Sequence, residues 1–338
     1  MQESMNDCCR RVCLTPTRNE AWIIKPFLVV AKSWADHVIV ADQGSTDGTL
    51  QTLQSTAGVE ALVNDSPTYD ELHRQRLLIN RARQIPEKRI LIALDADEAL
   101  SSNCLQSKEW QKISEAKPGT VLRFKWVNIL AGFKEAWIPN ELKRCGFIDD
   151  GSEHTGKRIH NQRVPGSPDA PVIDLEDVVV LHFQYVAWER MRRKHRWYQA
   201  WEYAEHRREG PLEIFRHYNH MHGSWERREI HPMRPEWLQG YDEAGVNFRS
   251  LPCEPVTWWD REMVQMFRQY GPQHFRKLAI WDGDWNAIAA QIGVNGVDLA
   301  DPRSNFEKAV HRLLAATQKD RSGLAVRGFE RLLRALGW

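Results

Sequence analysis

The stretch "RILIALDADEAL", residues 89–100, decides how the chain is read. Five apolar residues, Ile90 to Leu94, run directly into Asp95 and Asp97, with Glu98 after them. A buried strand that delivers three acids to one place sets like charges against each other. A cation is therefore expected beside them.

The segments upstream place this strand in a sheet. "RVCLTPT" (11–17) reads as a short strand ending at Pro16. "EAWIIKPFLVVAKSW" (20–34) puts Ile23, Phe27, Val30 and Trp34 on one helical face, with Pro26 kinking the helix or delaying its start. "HVIVAD" (37–42) is a second strand, and "DGTLQTLQST" (47–56) a short helix with Ser45, Thr46 and Asp47 as candidate caps. "VEALVN" (59–64) fits a third strand, "YDELHRQRLLINRARQI" (69–85) a helix, and "RILIALD" (89–95) the fourth strand. Strands apolar on both faces and separated by helices imply an α/β fold, a mostly parallel sheet flanked by helices. Ligands of such sheets sit at the carboxyl ends of the strands, which puts "TPTRNE", "ADQGSTDGT" and "DADE" on one rim.

Further along, "TVLRFKWVNIL" (120–130) alternates as an antiparallel strand would, 146–171 reads as loops around short strands, and "VVVLHF" (178–183) as another strand. "WERMRRKHRWYQAWEYAEHRREG" is a long basic, aromatic helix from Trp188 to Gly210, and the remainder to Trp338 looks mainly helical. No repeat or low-complexity linker is visible.

Bulk properties exclude several classes. At 338 residues and a net charge of +1, the chain shows no charge excess for nucleic acid. No apolar run approaches the ~20 residues of a transmembrane segment, and the amino terminus lacks a secretory core. Six scattered cysteines show neither zinc spacing nor a disulfide scaffold, which points to a reduced, cytoplasmic protein. Of the 15 tryptophans, core packing should account for most, although indole also serves as a platform for sugars and bases.

The residues that can carry chemistry cluster on the rim. Asp42 leaves a strand end, where its carboxylate would meet the hydroxyls or base of a nucleotide; an ordinary strand–turn–helix junction uses the same residue types. Neither GxGxxG nor a Walker cradle is present. Asp95 and Asp97 can hold a hard divalent cation, Mn²⁺ or Mg²⁺, and such a cation would neutralise a departing diphosphate. Two rivals exist for the same residues: a solvated acidic turn, and the DxDx opening of haloacid dehalogenase phosphatases with Asp95 as nucleophile. The second has Ala99 where that pattern wants Thr or Val, and three strand patterns precede it.

"TPTRNEA", "VIVADQGSTDGT", an Asn before the acids and "LDADE", in this order and spacing, resemble the family 2 glycosyltransferases of GT-A, Rossmann-like fold. The resemblance covers residues 12–100 and extends more loosely to about 205. It implies a nucleotide-sugar-binding catalytic domain over 10–205 and a helical region over 206–338 that could bind the acceptor. It also implies transfer, with inversion, from a UDP- or GDP-sugar to a glycan, lipid-linked or other hydroxyl acceptor. Thr15, Thr17, Arg18 and Glu20 would line the nucleotide pocket and Asp42 would contact base or ribose. Asp95, with Ala96 beside it, would approach the ribose, and Asp97 would hold the metal. The arginine of the family's ARN motif falls on Ile79, with Arg76 one helical turn earlier as its substitute.

Later segments match more loosely. "KRIHNQRVP" places His160 in the family's His-Glu segment, and "VVVLHFQY" places His182 where it completes a metal shell. Arg193, Arg196 and Trp197 share a helical face and would meet diphosphate or stack on a sugar. A packed, basic helix face explains the same three residues. Asp149, Asp150 and Glu153 are the candidate bases for an acceptor hydroxyl. "HYNHMH" (217–222) has zinc-like histidine spacing, yet no accompanying acid or cysteine motif. A non-catalytic sugar binder of the same fold is the third reading. The basic helix also raises contact with the inner face of a membrane, to which a neutral net charge lends nothing.

Overall fold

A computed structural model describes residues 9–206, 209–219, 230–252, 254–319 and 321–338. The chain divides into two compact units, Met1–Ala187 with Arg228–Pro252, and Trp188–Arg227 with Cys253–Trp338. The division falls at Ala187, ahead of the basic helix, where the sequence suggested 205. The segment around residue 240 rejoins the first unit.

The first unit opens with β1 (Arg10–Thr17), α1 (Ile24–Trp34), β2 (His37–Asp42), α2 (Thr49–Ser55), β3 (Val59–Val63), α3 (Glu71–Ala82) and β4 (Arg89–Ala93). The strands run parallel in the order β3-β2-β1-β4. Side chains alternate across a strand, so each strand feeds two cores. Cys13, Val38, Val40, Ile90 and Ile92 pack with Phe27, Val30 and Trp34 of α1. Val12, Leu14, Ile39, Ala41 and Leu91 pack with Leu78, Ile79 and Ala82 of α3. Pro26 does delay α1: the helix starts at Ile24, leaving Pro26 in the first turn, where a missing N–H breaks no helical bond. The expected caps of α2 are corrected. Gly48 occupies the cap position at φ +97°, while the Asp47 carboxylate accepts from the Thr49 N–H at 3.0 Å and its hydroxyl at 2.6 Å.

Beyond β4 come β5 (Glu98–Leu100), α4 (Lys108–Glu115), β6 (Val121–Ile129), β7 (Glu135–Trp137), β8 (Lys143–Ile148) and β9 (Val172–His182). The sheet continues β4-β8-β6-β7, antiparallel at each step, while β9 runs parallel to β6 and antiparallel to β5. Strand β6 is a strand as expected, but it has a parallel neighbour besides its antiparallel ones, and its ends are buried on both faces rather than alternating. The chain passes to the second unit through α5 (Trp188–Trp201), a π-helical turn at Glu202–His206 and α6 (Pro211–Tyr218). It rejoins the first unit in β10 (Ile230–Pro232) and α7 (Gln239–Glu243), and ends in the second with α8 (Trp258–Tyr270), α9 (Trp285–Gln291), α10 (Asn305–Ala316) and α11 (Leu324–Ala335). The basic helix is thus α-helical to Trp201 and continues as the π-helical turn to His206, while residues 207–208 lie outside the described residues. Capping boxes at Thr257/Asp260 and Ser304/Glu307 fix the starts of α8 and α10. Tryptophans fill the interior here: Trp197 stacks on Trp201, and Phe267 on Trp281. No described helix is long and apolar enough to cross a membrane.

Strand direction has one large consequence. Because β8 is antiparallel to β4, with Ile148 opposite Ile90, Asp149 lies at the amino edge of the parallel strands. There its fully covered carboxylate takes Arg83 at 2.8 Å and Arg89 at 2.9 Å. Burial pushes the Asp149 carboxyl up, but the two guanidiniums outweigh that and hold it below the ordinary range. A depressed folded value means that the pair stabilises fully above the unfolded carboxylate value of about 3.9 and stops doing so as pH falls through the folded value. Asp149→Asn should cost about 2 kcal/mol in urea unfolding at pH 7. Its gap from wild type should close below about pH 4. A pH-independent gap would show that charge is not what holds this edge.

Candidate active site

The turn after β4 separates the three acids. The Glu98 N–H donates to the Asp95 carbonyl at 3.0 Å, and the Asp95 N–H donates back to the Glu98 carboxylate at 3.0 Å, which closes the corner into β5. The Glu98 side chain is fully covered. It accepts from Trp126 Nε1 at 2.8 Å and from both terminal nitrogens of Arg163. Asp95 takes the same guanidinium at 2.7 Å. The cation that the sequence called for is thus partly built in, and Arg163 supplies it. Sequence reasoning missed Arg163 altogether: it is far away in sequence, in a loop without periodicity. Beside it, burial pushes the Cys145 thiol up to about 12, so this sulfur is no nucleophile.

Asp97 remains outside this clasp. It is 8% exposed, and its carboxylate faces His182 Nε2 at 3.6 Å. Strand register explains the meeting, because His182 of β9 lies opposite Glu98 of β5 and beside Asn128 of β6. The Asn128 amide nitrogen donates to the carbonyls of Trp126 (3.4 Å) and Trp137 (3.2 Å), which turns its oxygen to His182 Nδ1 at 2.7 Å. An amide oxygen only accepts, so Nδ1 carries a proton. In the neutral ring the Nε2 lone pair then points at a carboxylate. The two atoms lie 3.6 Å apart, close enough for both to ligate one ion. Trp126 stacks on the imidazole at 4.5 Å and 17°, locking its plane.

The donor set fits a divalent ion. One carboxylate oxygen and one imidazole turned by its hydrogen bond to Asn128 would suit Mn²⁺ better than Mg²⁺. Among the described residues no group of three His, Cys, Asp or Glu side chains is placed to hold a metal. An ion at Asp97 and His182 would therefore draw its other ligands from water or from a bound anion.

The remaining rim residues mostly shape the backbone. Asp42 is buried and accepts from the Thr17 hydroxyl at 3.1 Å and from the N–H (2.9 Å) and hydroxyl (2.5 Å) of Ser45. Its carboxylate therefore organises the turn. Asn19, which the sequence did not single out, sits at φ +56° and accepts from the Thr46 N–H at 2.7 Å, so that the β1 and β2 loops are tied together. Thr15 is fully buried beside Cys13 and cannot line a pocket. Ala96 is core. Glu20 accepts from Trp22 Nε1 at 2.6 Å, and Arg18 stays half-buried where β1 ends.

The three candidate bases are corrected. Asp149 lies opposite Arg89, six residues before Asp95, so about 20 Å of strand separates it from the rim. Asp150 follows at the same edge, where its carboxylate accepts from the Ser152 N–H at 2.9 Å. Glu153 pairs with Arg76 at 2.7 Å, so Arg76 faces this loop and is turned from the role suggested for it. From there the loop climbs α3. His154 and Asn161 meet Gln75 at 2.8 and 2.7 Å, Asn161 meets Glu71 at 2.8 Å, and Arg163 arrives at Asp95. His160, exposed at φ +54°, lies on this climb.

The helix residues expected at the diphosphate serve the second unit instead. Arg193 bonds the Pro255 carbonyl at 2.7 Å and Asp260 at 3.1 Å, and Arg196 bonds Asp282 at 2.7 Å. Trp197 is 1% exposed and donates to Glu262 at 2.8 Å, so its ring is unavailable to a sugar. Of the histidine cluster, His217 closes α6, and His220 and His222 lie outside the described residues. An Asp95 nucleophile, which the phosphatase reading requires, would first have to leave Arg163.

No protein-family profile matches the chain, and no curated protein does. Three solved structures show slight likeness. A nucleotidyl transferase from a Methanothermobacter species is 13% identical, with a TM-score of 0.22 over 39% of this chain and 70% of that one. A Bacillus anthracis protein described as a glucose-1-phosphate thymidylyltransferase is 10% identical, with a TM-score of 0.27 over 42% and 69%. The inositol-1-phosphate CTP transferase of T. maritima is 10% identical, with a TM-score of 0.32 over 52% and 89%. These values are too low to bear on activity.

Removing Arg163 should strand two carboxylates in a covered turn. Arg163→Met is expected to lower stability by about 3 kcal/mol, and adding Glu98→Gln to recover about 1–2 kcal/mol of it. Additive losses in denaturant titrations of the two single variants and the double would show that the clasp carries no coupling.

Proposed function

We propose that the first unit is the catalytic domain of a metal-dependent glycosyltransferase, which moves a sugar from a UDP- or GDP-sugar to an acceptor hydroxyl with inversion. The observation that carries this reading is the Asp97–His182 pair, oriented by Asn128, at the carboxyl rim of a β3-β2-β1-β4 parallel sheet. That rim is where such sheets take nucleotides. The motif order "TPTRNE", "ADQGSTDGT", "LDADE" supports it independently.

In this reading Asp97 and His182 hold the divalent ion, which when bound offsets charge on the leaving diphosphate. Arg163 holds Asp95 and Glu98 in the turn, while the Asp97 carboxylate faces His182. Asn128 fixes the tautomer that leaves Nε2 available. Asp42 and Asn19 hold the β1 and β2 loops in register around the nucleotide. Transfer by inversion also needs a carboxylate or other base at the acceptor, a role that Asp149, Asp150 and Glu153 do not fill from where they stand.

A thermal-shift screen of UDP and GDP with and without Mn²⁺ tests the binding half. A nucleotide at a hundred times its dissociation constant adds about 2.7 kcal/mol of stability. The midpoint should therefore rise by several degrees with metal and by less without it. Asp97→Asn and His182→Ala should erase the metal-dependent part, and Asn128→Leu should weaken Mn²⁺ by about 10–100-fold. For the chemical half, a nucleotide-sugar panel with Mn²⁺ should release nucleotide, and Asp97→Asn should abolish release while circular dichroism stays unchanged. A folded Asp97→Asn protein that keeps full, metal-dependent activity would refute the assignment. Binding without any release would leave a sugar binder of this fold.

A further inference from the structure

The second unit contains a cavity of about 530 Å³, lined by residues of α5, α6, α10 and their neighbours. Arg192, Arg196, Arg303, Lys308 and Arg312 line it, with Asp282 the one acidic side chain among the described residues of its wall. We propose that this cavity binds a phosphate ester with a body the size of a sugar or nucleoside. The inference does not depend on the transferase reading of the first unit.

The cations are held in place from behind. Asp282 accepts from Arg196 Nε at 2.7 Å and also pairs with Arg192. Burial pushes its carboxyl up, but the two guanidiniums prevail and bring it down to about 2, so Asp282 stays ionised. Asp301 grips Arg303 at 2.8 and 2.9 Å and lies 3.4 Å from Lys308. The buried ring of His311 donates through Nε2 to the Lys277 carbonyl at 3.0 Å, so its Nδ1 accepts from Arg303 at 3.1 Å. Burial, aided by the Arg303 charge, holds His311 down at about 4 and therefore neutral, a fixed acceptor that aims the guanidinium. Arg312 is exposed, and among the described residues it forms no ion pair.

Aimed guanidiniums match phosphate oxygens, and a dianion draws more from several cations than a carboxylate does. At about 530 Å³ the cavity has room for an organic body beside the phosphate. Phe215, Ala279 and Ala315 supply an apolar wall for the rest of the molecule. The buried amides of Gln199 and Asn219 lie in the same wall, where hydroxyls or ring heteroatoms would find partners.

Isothermal titration of the full chain with inorganic phosphate in EDTA tests the phosphate half, and repeating it with glucose 1-phosphate tests the body. Wild type and Asp97→Asn should bind alike. Arg312→Glu should weaken binding by 10-fold or more and Lys308→Ala by several-fold, with thermal midpoints unchanged. Glucose 1-phosphate should bind at least as tightly as inorganic phosphate. A flat wild-type titration, or undiminished binding in both variants, overturns the proposal. Loss of binding in Asp97→Asn alone would move the anion to the first unit and likewise overturn it. Glucose 1-phosphate binding more weakly than inorganic phosphate would refute the organic body.

Discussion

The guanidinium of Arg163 is the interaction on which the rim depends. Without it, Asp95, Asp97 and Glu98 would put three like charges into a four-residue turn, and at least one would have to take up a proton to stay buried. With it, Glu98 can be fully covered and can use its oxygens to close the turn and hold Trp126. Trp126 in turn sets the plane of His182, and Asn128 sets its proton. One cation thus partitions the acids into two structural carboxylates and one that faces a histidine.

The route of Arg163 to that position explains the sequence between β8 and β9. The segment starts at the amino edge, anchored where Asp149 joins Arg83 and Arg89, and must reach the opposite rim. It climbs α3 by successive polar contacts, with Ser152 on Arg83, Glu153 on Arg76, His154 on Gln75 and Asn161 on Glu71. A chain following a helix side in this way has neither helical nor strand periodicity. The acids in "DDGSEH" look like exposed catalytic candidates in the sequence and are in fact the pegs of this climb.

The parallel half of the sheet was legible because its central strands are buried on both faces, with Val38–Ala41 of β2 and Ile90–Leu94 at β4 forming unbroken apolar runs. The helix start at Pro26 followed from a local rule, and so did the rim, once the strand order was granted. Asp97 and His182 were legible as candidates from motif order. Their meeting was not, because it depends on the register of β9 against β5 and β6, and β9 proved six residues longer at its start than its apolar run suggested. Arg163 and Asn128 left no signal, since each acts through a contact made across the fold. The basic helix was read correctly as a helix, and of its two readings the packed face is the one that the ion pairs of Arg193 and Arg196 match. An arginine facing Asp260 or Asp282 and an arginine facing a diphosphate leave the same trace in a sequence.

Net charge illustrates the same point at larger scale. At +1 the chain looks indifferent to anions, yet that sum averages two unlike environments. In the first unit the Asp97 carboxylate faces the His182 imidazole at 3.6 Å. In the second unit five cations share a cavity wall with one carboxylate, and the acids that steady them are themselves held ionised by the same arginines. A ligand responds to the field within a few ångströms of its own oxygens, because bulk solvent screens exposed charges beyond about 8–10 Å. Composition therefore excludes only partners large enough to feel the whole surface, such as a nucleic acid duplex. It leaves small anions undecided, and for these the placement of Arg163, Arg303 and Arg312 carries the information that the sum discards.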